Sequence, residues 1–140
     1  MRIYLAGPLF TPYERAFLDD VAARLREAGH VVFVPHESAL AQRDTRAAEI
    51  FAKDWAALAD AEAVVALLDG DAVDDGTACE IGIFYALMRS DPAKRVILGL
   101  RTDMRADRGR ELNLFVQGCI DAGGAVVRSV DEVLAMLRAG

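Results

Sequence analysis

Apolar and polar residues alternate along this chain in blocks that predict strands and helices in turn. Short apolar runs that end at Gly or Pro predict strands, and longer runs with apolar residues three and four apart predict helices. The predicted strands are 2–6, 31–34, 63–68, 96–100 and 125–128. The predicted helices are 14–28, 45–59, 78–89, 111–122 and 130–138.

This order of elements indicates the fold class. Five strands alternating with five helices predict right-handed β-α-β units and a parallel sheet covered on both faces. The unbroken apolar run AVVALL is typical of a strand buried on both sides. We therefore expect an α/β fold, a flavodoxin-like doubly wound sandwich with a five-stranded parallel sheet, in a single domain over residues 1–140. In such folds ligands bind beyond the carboxyl ends of the strands, where the loops begin at Gly7, Pro35, Asp69 and Arg101.

The composition and charge of the chain limit the kinds of molecule that it is expected to bind. The 140 residues suit one domain. The 16 basic and 22 acidic residues give a net charge of −6, which argues against a polyanionic partner such as DNA or RNA. The sequence has neither an apolar run long enough to span a bilayer nor a signal-peptide pattern. We therefore expect a cytoplasmic protein with no membrane partner.

The sequence also gives little support for a metal or a cofactor. Cys79 and Cys119 are far apart and lack metal-ligand spacing, so we expect two reduced thiols, with Cys79 packed into its helix. His30 and His36 flank the second predicted strand and are expected at the surface or in loops. The glycine motifs that cradle phosphates are absent. The basic segment 101–110 also contains acidic residues and is predicted to be a solvated loop.

The acidic stretch 69–87, DGDAVDDGTACEIGIFYAL, follows the third predicted strand and is a candidate for chemistry. Thr77 and Glu80 fit a capping box, which by itself would only stabilise the start of a helix. The tetrapeptide alone favours this capping role. The helix dipole also favours the ionised form of a carboxylate in the first turn, so a capping Glu80 could at the same time be a nucleophile. Glycosyl transfer needs a second group to protonate the departing base, and Asp74 could supply it. Asp75 is interpreted as a residue typical of the turn that precedes the helix.

Two other segments contribute candidates at the same edge of the predicted sheet. Asp54 lies on the second predicted helix and, considered alone, indicates a solvated helix face. Tyr4 lies on the first strand, either as a core aromatic or as a hydroxyl that orients a carboxylate. In the loop that follows, Gly7 and Pro8 make a poor phosphate cradle, whereas Phe10 is suited to stack on a flat ring.

These segments resemble the nucleoside 2-deoxyribosyltransferase family. The resemblance lies in IYLAGPLF, KDWAALADAEAVVALLDG and DDGTACEIGIFYAL, and more weakly in ELNLF. It covers most of the chain, from Ile3 to about Ile120. Asp75 stands where a small residue is common, and Phe115 stands where Met is typical of the family.

The resemblance implies an enzyme that transfers a 2-deoxyribosyl group between nucleobases with retention of configuration. Glu80 would form a covalent deoxyribosyl intermediate, Asp74 and Asp54 would contact the base and relay its proton, and Tyr4 would position Glu80. The substrate-binding residues implied are Gly7, Pro8, Phe10, Gly76, Asn113 and Phe115. No cofactor or metal is implied.

The partners implied are 2′-deoxynucleosides and free nucleobases, which suggests a role in nucleotide salvage. The resemblance also implies a homo-oligomer with shared active sites, dimer-based and up to a hexamer. Asn113 would then reach into the site of a neighbouring subunit.

Two other functions stay open. A nucleoside 5′-monophosphate N-glycosidase shares the expected fold, but such hydrolases carry a Ser- and Gly-rich, Arg-containing loop after the first strand. The corresponding loop here is GPLFTPYER, in which Arg15 is the nearby cation. A non-catalytic nucleotide-binding or receiver module would need an acidic pair after the first strand and a Lys after the fifth, where this chain has AGP and RS. The transferase is favoured over both.

Overall fold

Strands and helices alternate along the computed structural model of this chain, which describes residues 1–37, 46–109 and 111–139. The strands are β1 Arg2–Ala6, β2 Val31–Phe33, β3 Ala63–Leu67, β4 Val96–Leu100 and β5 Gly124–Val127. The helices are α1 Pro12–Glu27, α2 Ala47–Asp60, α3 Asp75–Met88, α4 Leu114–Gly123 and α5 Val130–Ala139. Short 3-10 turns lie at Pro35–Glu37 and Ala106–Arg108. The predicted order of the elements is confirmed, although the predicted start of the second helix at residue 45 lies outside the described residues.

The five strands form one parallel sheet in the order β2-β1-β3-β4-β5. From β1 the chain first moves outward to β2 and then crosses back to β3, so the strand order reverses between β1 and β3. Tyr4 pairs with Phe33 on one side and with Val64 on the other. The predicted α/β fold with a five-stranded parallel sheet is confirmed, and its switch point lies at the carboxyl ends of β1 and β3.

Each face of the sheet packs against its own helices. Because side chains alternate along a strand, Ile3 and Leu5 pack with residues of α1 and α5, whereas Tyr4 and Ala6 face α2, α3 and α4. All five residues of β3 are buried, as the run AVVALL predicts. The alternation in β1 therefore directs Tyr4 towards the helix that carries Glu80.

The start of α3 differs from the prediction. Asp74 is the N-cap and accepts a hydrogen bond from the Thr77 backbone N–H at 3.0 Å. The predicted capping box of Thr77 and Glu80 is therefore wrong, since the helix begins three residues earlier and Thr77 is buried in its first turn. Likewise α4 begins at Leu114 rather than at residue 111.

The loop after β4 is more ordered than the predicted solvated loop. Arg101 is only 8% exposed. Asp69 accepts hydrogen bonds from the backbone N–H groups of Thr102 at 2.6 Å and Asp103 at 3.0 Å, and Asp103 accepts one from the Gly70 N–H at 2.9 Å. These reciprocal bonds tie the end of β3 to the end of β4. The prediction of a solvated loop is thus wrong at Arg101, which is buried, whereas Thr102, Met104 and Arg105 are exposed as predicted.

A buried lysine fixes the end of α2. Lys94, whose side chain is 4% exposed, donates hydrogen bonds to the carbonyl oxygens of Ala59 and, at 2.7 Å, Ala61. The last carbonyls of a helix lack partners within it, so a cation there stabilises the helix end. This contact anchors α2 beside the sheet.

Two further observations concern the described residues alone. None of their helices combines the length and hydropathy needed to cross a lipid bilayer. Both cysteines are free; Cys119 is buried, but Cys79 is exposed. The prediction that Cys79 packs into its helix is wrong, because this side of α3 borders a cavity.

Candidate active site

Tyr4 and Glu80 meet beyond the switch point of the sheet. Tyr4 is fully buried, and its hydroxyl donates a hydrogen bond of 2.5 Å to Oε1 of Glu80. On α3, Thr77, Ile81 and Phe84 face the core, which places Glu80 at the edge of the same buried side. The structure therefore brings together two residues that lie 76 positions apart in the sequence.

In this pair Glu80 is the group that ionises, and Tyr4 stays protonated. Burial, followed by the nearby negative charge of Glu80, raises the pKa of Tyr4 well above its usual range, so the phenol stays protonated and donates. Burial also raises the pKa of Glu80 to about 7, while the hydrogen bond from Tyr4 lowers it. Among the charged groups nearby, Asp54 and Asp74 raise this pKa and Lys53 lowers it. Glu80 therefore changes its charge close to neutral pH.

Glu80 borders a small cavity of about 180 Å³ between α2 and α3. Most of the lining side chains are apolar, and Glu80 and Asp54 are the acidic groups among them. The lining residues are Phe51, Asp54, Trp55, Leu58, Gly76, Cys79, Glu80 and Ile83. An anionic oxygen next to apolar walls can attack an electrophilic carbon with little competition from bound water.

Asp54 lies one turn before the buried Leu58 on α2, and its side chain is 20% exposed. Its Oδ1 atom lies 3.1 Å from the ammonium of Lys53, whose side chain is 17% exposed. Lys53 also donates a hydrogen bond of 2.9 Å to the carbonyl of Pro35. The interpretation of Asp54 as part of a solvated helix face is therefore wrong.

A second cavity of about 580 Å³ is also lined by Asp54. Its polar lining is mostly basic, and Phe10, which is 77% exposed, forms part of the apolar lining. The lining residues are Leu9, Phe10, Arg15, Pro35, His36, Ile50, Lys53 and Asp54. Asp54 is thus a lining residue of both cavities.

The remaining candidates near α3 and β1 differ in their relation to the two cavities. Asp74 Oδ2 accepts hydrogen bonds from the backbone N–H of Thr77 and, at 3.1 Å, from its hydroxyl. Gly76 borders the Glu80 cavity. Gly7 and Pro8 are buried and are not among the residues that line either cavity.

Gly7 has a packing reason to be glycine. A Cβ atom at this position would lie 3.0 Å from Cδ2 of Leu18 and 3.1 Å from Cβ of Leu67, closer than ordinary van der Waals contacts. The absent side chain lets the loop after β1 pass between α1 and β3.

Asn113 and Phe115 are not among the described residues that line the Glu80 cavity. Asn113 is the N-cap of α4, and its Oδ1 accepts hydrogen bonds from the backbone N–H groups of Phe115 and Val116. Asn113 lines a separate cavity of about 380 Å³ on the other side of the first turns of α3, next to Asp75. Phe115 is 80% exposed. Their predicted contact with the site of a neighbouring subunit stays a prediction.

Lys53 is a site residue that the pattern of the sequence did not single out, as are Phe33, Phe51 and Trp55. Phe33 stacks on Tyr4 with ring centroids 5.2 Å apart, and Phe51 stacks on Trp55 at 6.1 Å. The i, i+4 spacing of Phe51 and Trp55 on the predicted helix was the available signal for a shared face. For Lys53 the signal was its position beside Asp54.

Several known proteins are similar to this chain. The sequence model of the family described as nucleoside 2-deoxyribosyltransferase matches residues 3–115. A conserved protein from Enterococcus faecalis V583 superimposes with a TM-score of 0.83 at 27% identity, over 98% of this chain and 96% of that chain. The 2-deoxyribosyltransferase of Bacillus psychrosaccharolyticus superimposes with a TM-score of 0.75 at 25% identity, over 96% and 90% of the two chains.

A third solved structure shares the fold alone. The CMP N-glycosidase of Clostridium botulinum superimposes with a TM-score of 0.60 at 19% identity, over 99% of both chains. Among curated proteins, none matches the sequence significantly.

Proposed function

This chain belongs to the nucleoside 2-deoxyribosyltransferase family, and on that premise we propose that it transfers a 2-deoxyribosyl group between nucleobases. The family and its solved relatives support an enzyme that acts on N-glycosidic bonds. The observation that carries the finer proposal is the hydrogen bond of 2.5 Å from Tyr4 to Glu80, at a cavity that Asp54 also borders. This arrangement holds one carboxylate oxygen in place while the second can meet a sugar carbon.

In the first half of the proposed reaction, Glu80 attacks C1′ of a 2′-deoxynucleoside. A bond forms between a carboxylate oxygen and C1′, and the bond from C1′ to the base nitrogen breaks. The nitrogen takes the bonding electrons, so the departing base needs a proton. Asp54 and Asp74 lie close enough to Glu80 to influence its charge, and in this proposal they contact the base and relay that proton.

In the second half, the nitrogen of another base attacks C1′ from the face that the first base left. The ester bond to Glu80 breaks, the carboxylate is regenerated, and the incoming base gives up its proton. Two inversions amount to retention of configuration. The enzyme visits a covalent form between two substrates, so ping-pong kinetics are expected.

The proposed substrate contacts use both cavities. The sugar would lie at Glu80 and Gly76, and the base would extend past Asp54 to the ring of Phe10. Gly7 and Pro8 would shape the loop from beneath. The dimensions of the larger cavity, about 580 Å³, are ample for a nucleobase.

We also propose that the protein is a dimer-based homo-oligomer with shared sites, up to a hexamer, that takes part in nucleotide salvage in the cytoplasm. Support comes from large apolar side chains that remain exposed, namely Phe51, Trp55, Leu114 and Phe115. In this proposal Asn113 and Phe115 of one subunit complete the sugar pocket of its neighbour. Analytical ultracentrifugation, with Phe115→Asp as the disrupting variant, tests the assembly; a monomeric wild-type protein would refute it.

A base-exchange assay tests the activity. The protein is incubated with deoxyadenosine and cytosine, and deoxycytidine is expected as product. Intact-mass spectrometry with deoxyadenosine alone should show one deoxyribosyl group on the protein, absent in Glu80→Gln. Exchange at the full rate in Glu80→Gln would show that the nucleophile is another residue.

The basic lining of the larger cavity favours a second candidate, a deoxynucleoside 5′-monophosphate N-glycosidase. Among the described residues that line this cavity, those that could bind a phosphate are Arg15, His36 and Lys53. Each already has a partner: Arg15 donates to the Leu9 carbonyl at 2.6 Å, His36 lies 2.7 Å from an Asp19 oxygen, and Lys53 pairs with Asp54.

These existing partners weaken the case for a phosphate site, and we therefore favour the transferase. Incubation of deoxynucleoside monophosphates in water decides between the two enzymes. Release of free base from the monophosphate, without any base exchange from nucleosides, would establish the hydrolase. If the protein catalysed neither reaction at any pH, the non-catalytic binding module would be the remaining candidate.

A further inference from the structure

The Lys53 ammonium lies where the polar groups of the proposed site converge. Its Nζ atom is 3.1 Å from Asp54 Oδ1 and donates a hydrogen bond of 2.9 Å to the Pro35 carbonyl. It also lies 5.7 Å from the centre of the Phe33 ring, within the range of a cation–π attraction. Because the side chain is largely buried, these contacts fix the position of the charge.

The same charge lies within an acidic site. Tyr4 on β1 donates its hydroxyl to Glu80. The charges that act on Glu80 come from Asp54 and Lys53 on α2 and from Asp74, the residue before α3. Two carboxylates near a third disfavour its ionised form, and a cation favours it. Accordingly Asp54 and Asp74 raise the pKa of Glu80, whereas Lys53 lowers it. A carboxylate nucleophile has to be anionic, so the effect of Lys53 runs in the direction that the chemistry needs.

Packing also joins Lys53 to the residue that holds Glu80. The Phe33 ring, which Lys53 approaches on one side, stacks on the Tyr4 ring with an interplanar angle of 25°. Tyr4 in turn donates its hydroxyl to Glu80. The Lys53 ammonium thus contacts the Asp54 carboxylate directly. It also packs on Phe33, whose ring stacks on Tyr4, the residue that holds Glu80.

We propose that Lys53 is a positioning residue of this site, which holds the Asp54 carboxylate and offsets the negative charge around Glu80. The inference rests on the proposed base-exchange function and adds a residue to it. Lys53 acts through Asp54 and Glu80 and is assigned no contact with the sugar or the base. Without its charge, Glu80 needs a higher pH to become an anion.

The test compares wild type with Lys53→Met and Lys53→Arg by measuring kcat/KM for base exchange between pH 5 and 9. In Lys53→Met the acidic limb is expected to move to higher pH, so that kcat/KM falls at the acidic end. The loss at pH 9 is expected to be smaller. Lys53→Arg keeps a positive charge and is expected to restore the acidic limb.

A second readout requires no turnover. Infrared difference spectroscopy follows the titration of the Glu80 carboxyl group, assigned by its disappearance in Glu80→Gln. Lys53→Met is expected to raise the midpoint of this titration, and Lys53→Arg to return it towards that of wild type. Arg15 and His36, the other basic side chains among the described residues that line the neighbouring cavity, are unchanged in both variants. If Lys53→Met does not fold, Lys53→Gln removes the charge while keeping a donor.

The outcomes separate this inference from the proposed function. An equal fall in kcat/KM at every pH, with an unchanged Glu80 titration, would overturn the role of Lys53. A wild-type protein that exchanges no base would refute the proposed function instead. In that case the infrared titration would still decide whether Lys53 governs the charge of Glu80.

Discussion

Replacement of Glu80 by Gln is expected to stabilise the folded protein at alkaline pH while abolishing the covalent intermediate. Folding raises the pKa of Glu80 from 4.5 to about 7, mainly through burial. One pKa unit corresponds to about 1.4 kcal/mol, so the ionised side chain weakens folding by up to about 3 kcal/mol above pH 7. Gln has nearly the shape of the protonated side chain, and its amide oxygen can still accept the hydrogen bond from Tyr4.

The direction of the pH dependence follows from the raised pKa. Between about pH 4.5 and about 7 the folded state holds a proton on Glu80 that the unfolded state has lost. The contribution of this group to stability is therefore fully present below pH 4.5 and decreases as pH rises through 7. The stability gained by Glu80→Gln is expected to be near zero at the acidic end and about 1–3 kcal/mol at pH 8.

Urea unfolding of wild type and Glu80→Gln at pH 5, 6.5 and 8, at one protein concentration, measures this difference. At pH 8 the gain corresponds to a rise in Tm of about 3–10 °C for a chain of this size. Glu27→Gln, the same exchange at the exposed end of α1, controls for the loss of one negative charge from a chain of net charge −6. Two results would contradict this reasoning: Glu80→Gln less stable than wild type at pH 8, or a gain in stability that becomes smaller as pH rises. Either would show that ionisation of Glu80 does not destabilise the folded state.

Four further results are expected. In wild type, kcat/KM for base exchange should fall below about pH 7 as Glu80 gains a proton; a rate independent of pH between 5 and 8 would contradict this. Tyr4→Phe should lower kcat about 10- to 100-fold. It should also shift the acidic limb of the pH–rate profile to higher pH, because it removes the hydrogen bond that lowers the pKa of Glu80. Stopped-flow measurement of the first turnover over a range of pH checks both effects. Lys94→Met should destabilise the fold by about 1–3 kcal/mol in urea unfolding, since it leaves two buried carbonyls at the end of α2 without their donor; an unchanged unfolding midpoint would exclude that role. Asp74→Asn should keep the cap of α3 but slow base release, whereas Asp74→Ala should also cost about 1 kcal/mol of stability; equal stability losses in the two variants would argue against the cap.

The fold was largely predictable because its strands are apolar and short. The run AVVALL in β3 and the Gly and Pro residues around the elements indicate a buried parallel sheet without any knowledge of tertiary contacts. The start of α3 was not predictable in the same way. Asp74, Asp75 and Thr77 can all cap a helix, and the choice of Asp74 depends on Thr77 being buried in the packed helix.

The geometry of the candidate site was less predictable than the residues proposed for it. The sequence motifs singled out Tyr4, Asp54 and Glu80; in the structure Asp54 and Glu80 line one cavity, and Tyr4 is joined to Glu80 by a hydrogen bond. The burial that moves the pKa of Glu80 arises from the packing of α2 against α3, which no local pattern contains. Lys53 went unnoticed because a lysine on an amphipathic helix is usually solvated. Its burial depends on the Pro35 carbonyl and the Phe33 ring, which come from another strand and the turn after it.

The long separation between Tyr4 and Glu80 has a consequence for how this protein acquires activity. The contact joins the first strand of the sheet to the third long helix, across 76 positions. Contacts of such length form late in folding, because the intervening chain must first be closed into a loop. Catalytic competence should therefore serve as a reporter of complete assembly. In a refolding experiment followed by circular dichroism and by activity, helix content is expected to recover first and turnover to lag behind it.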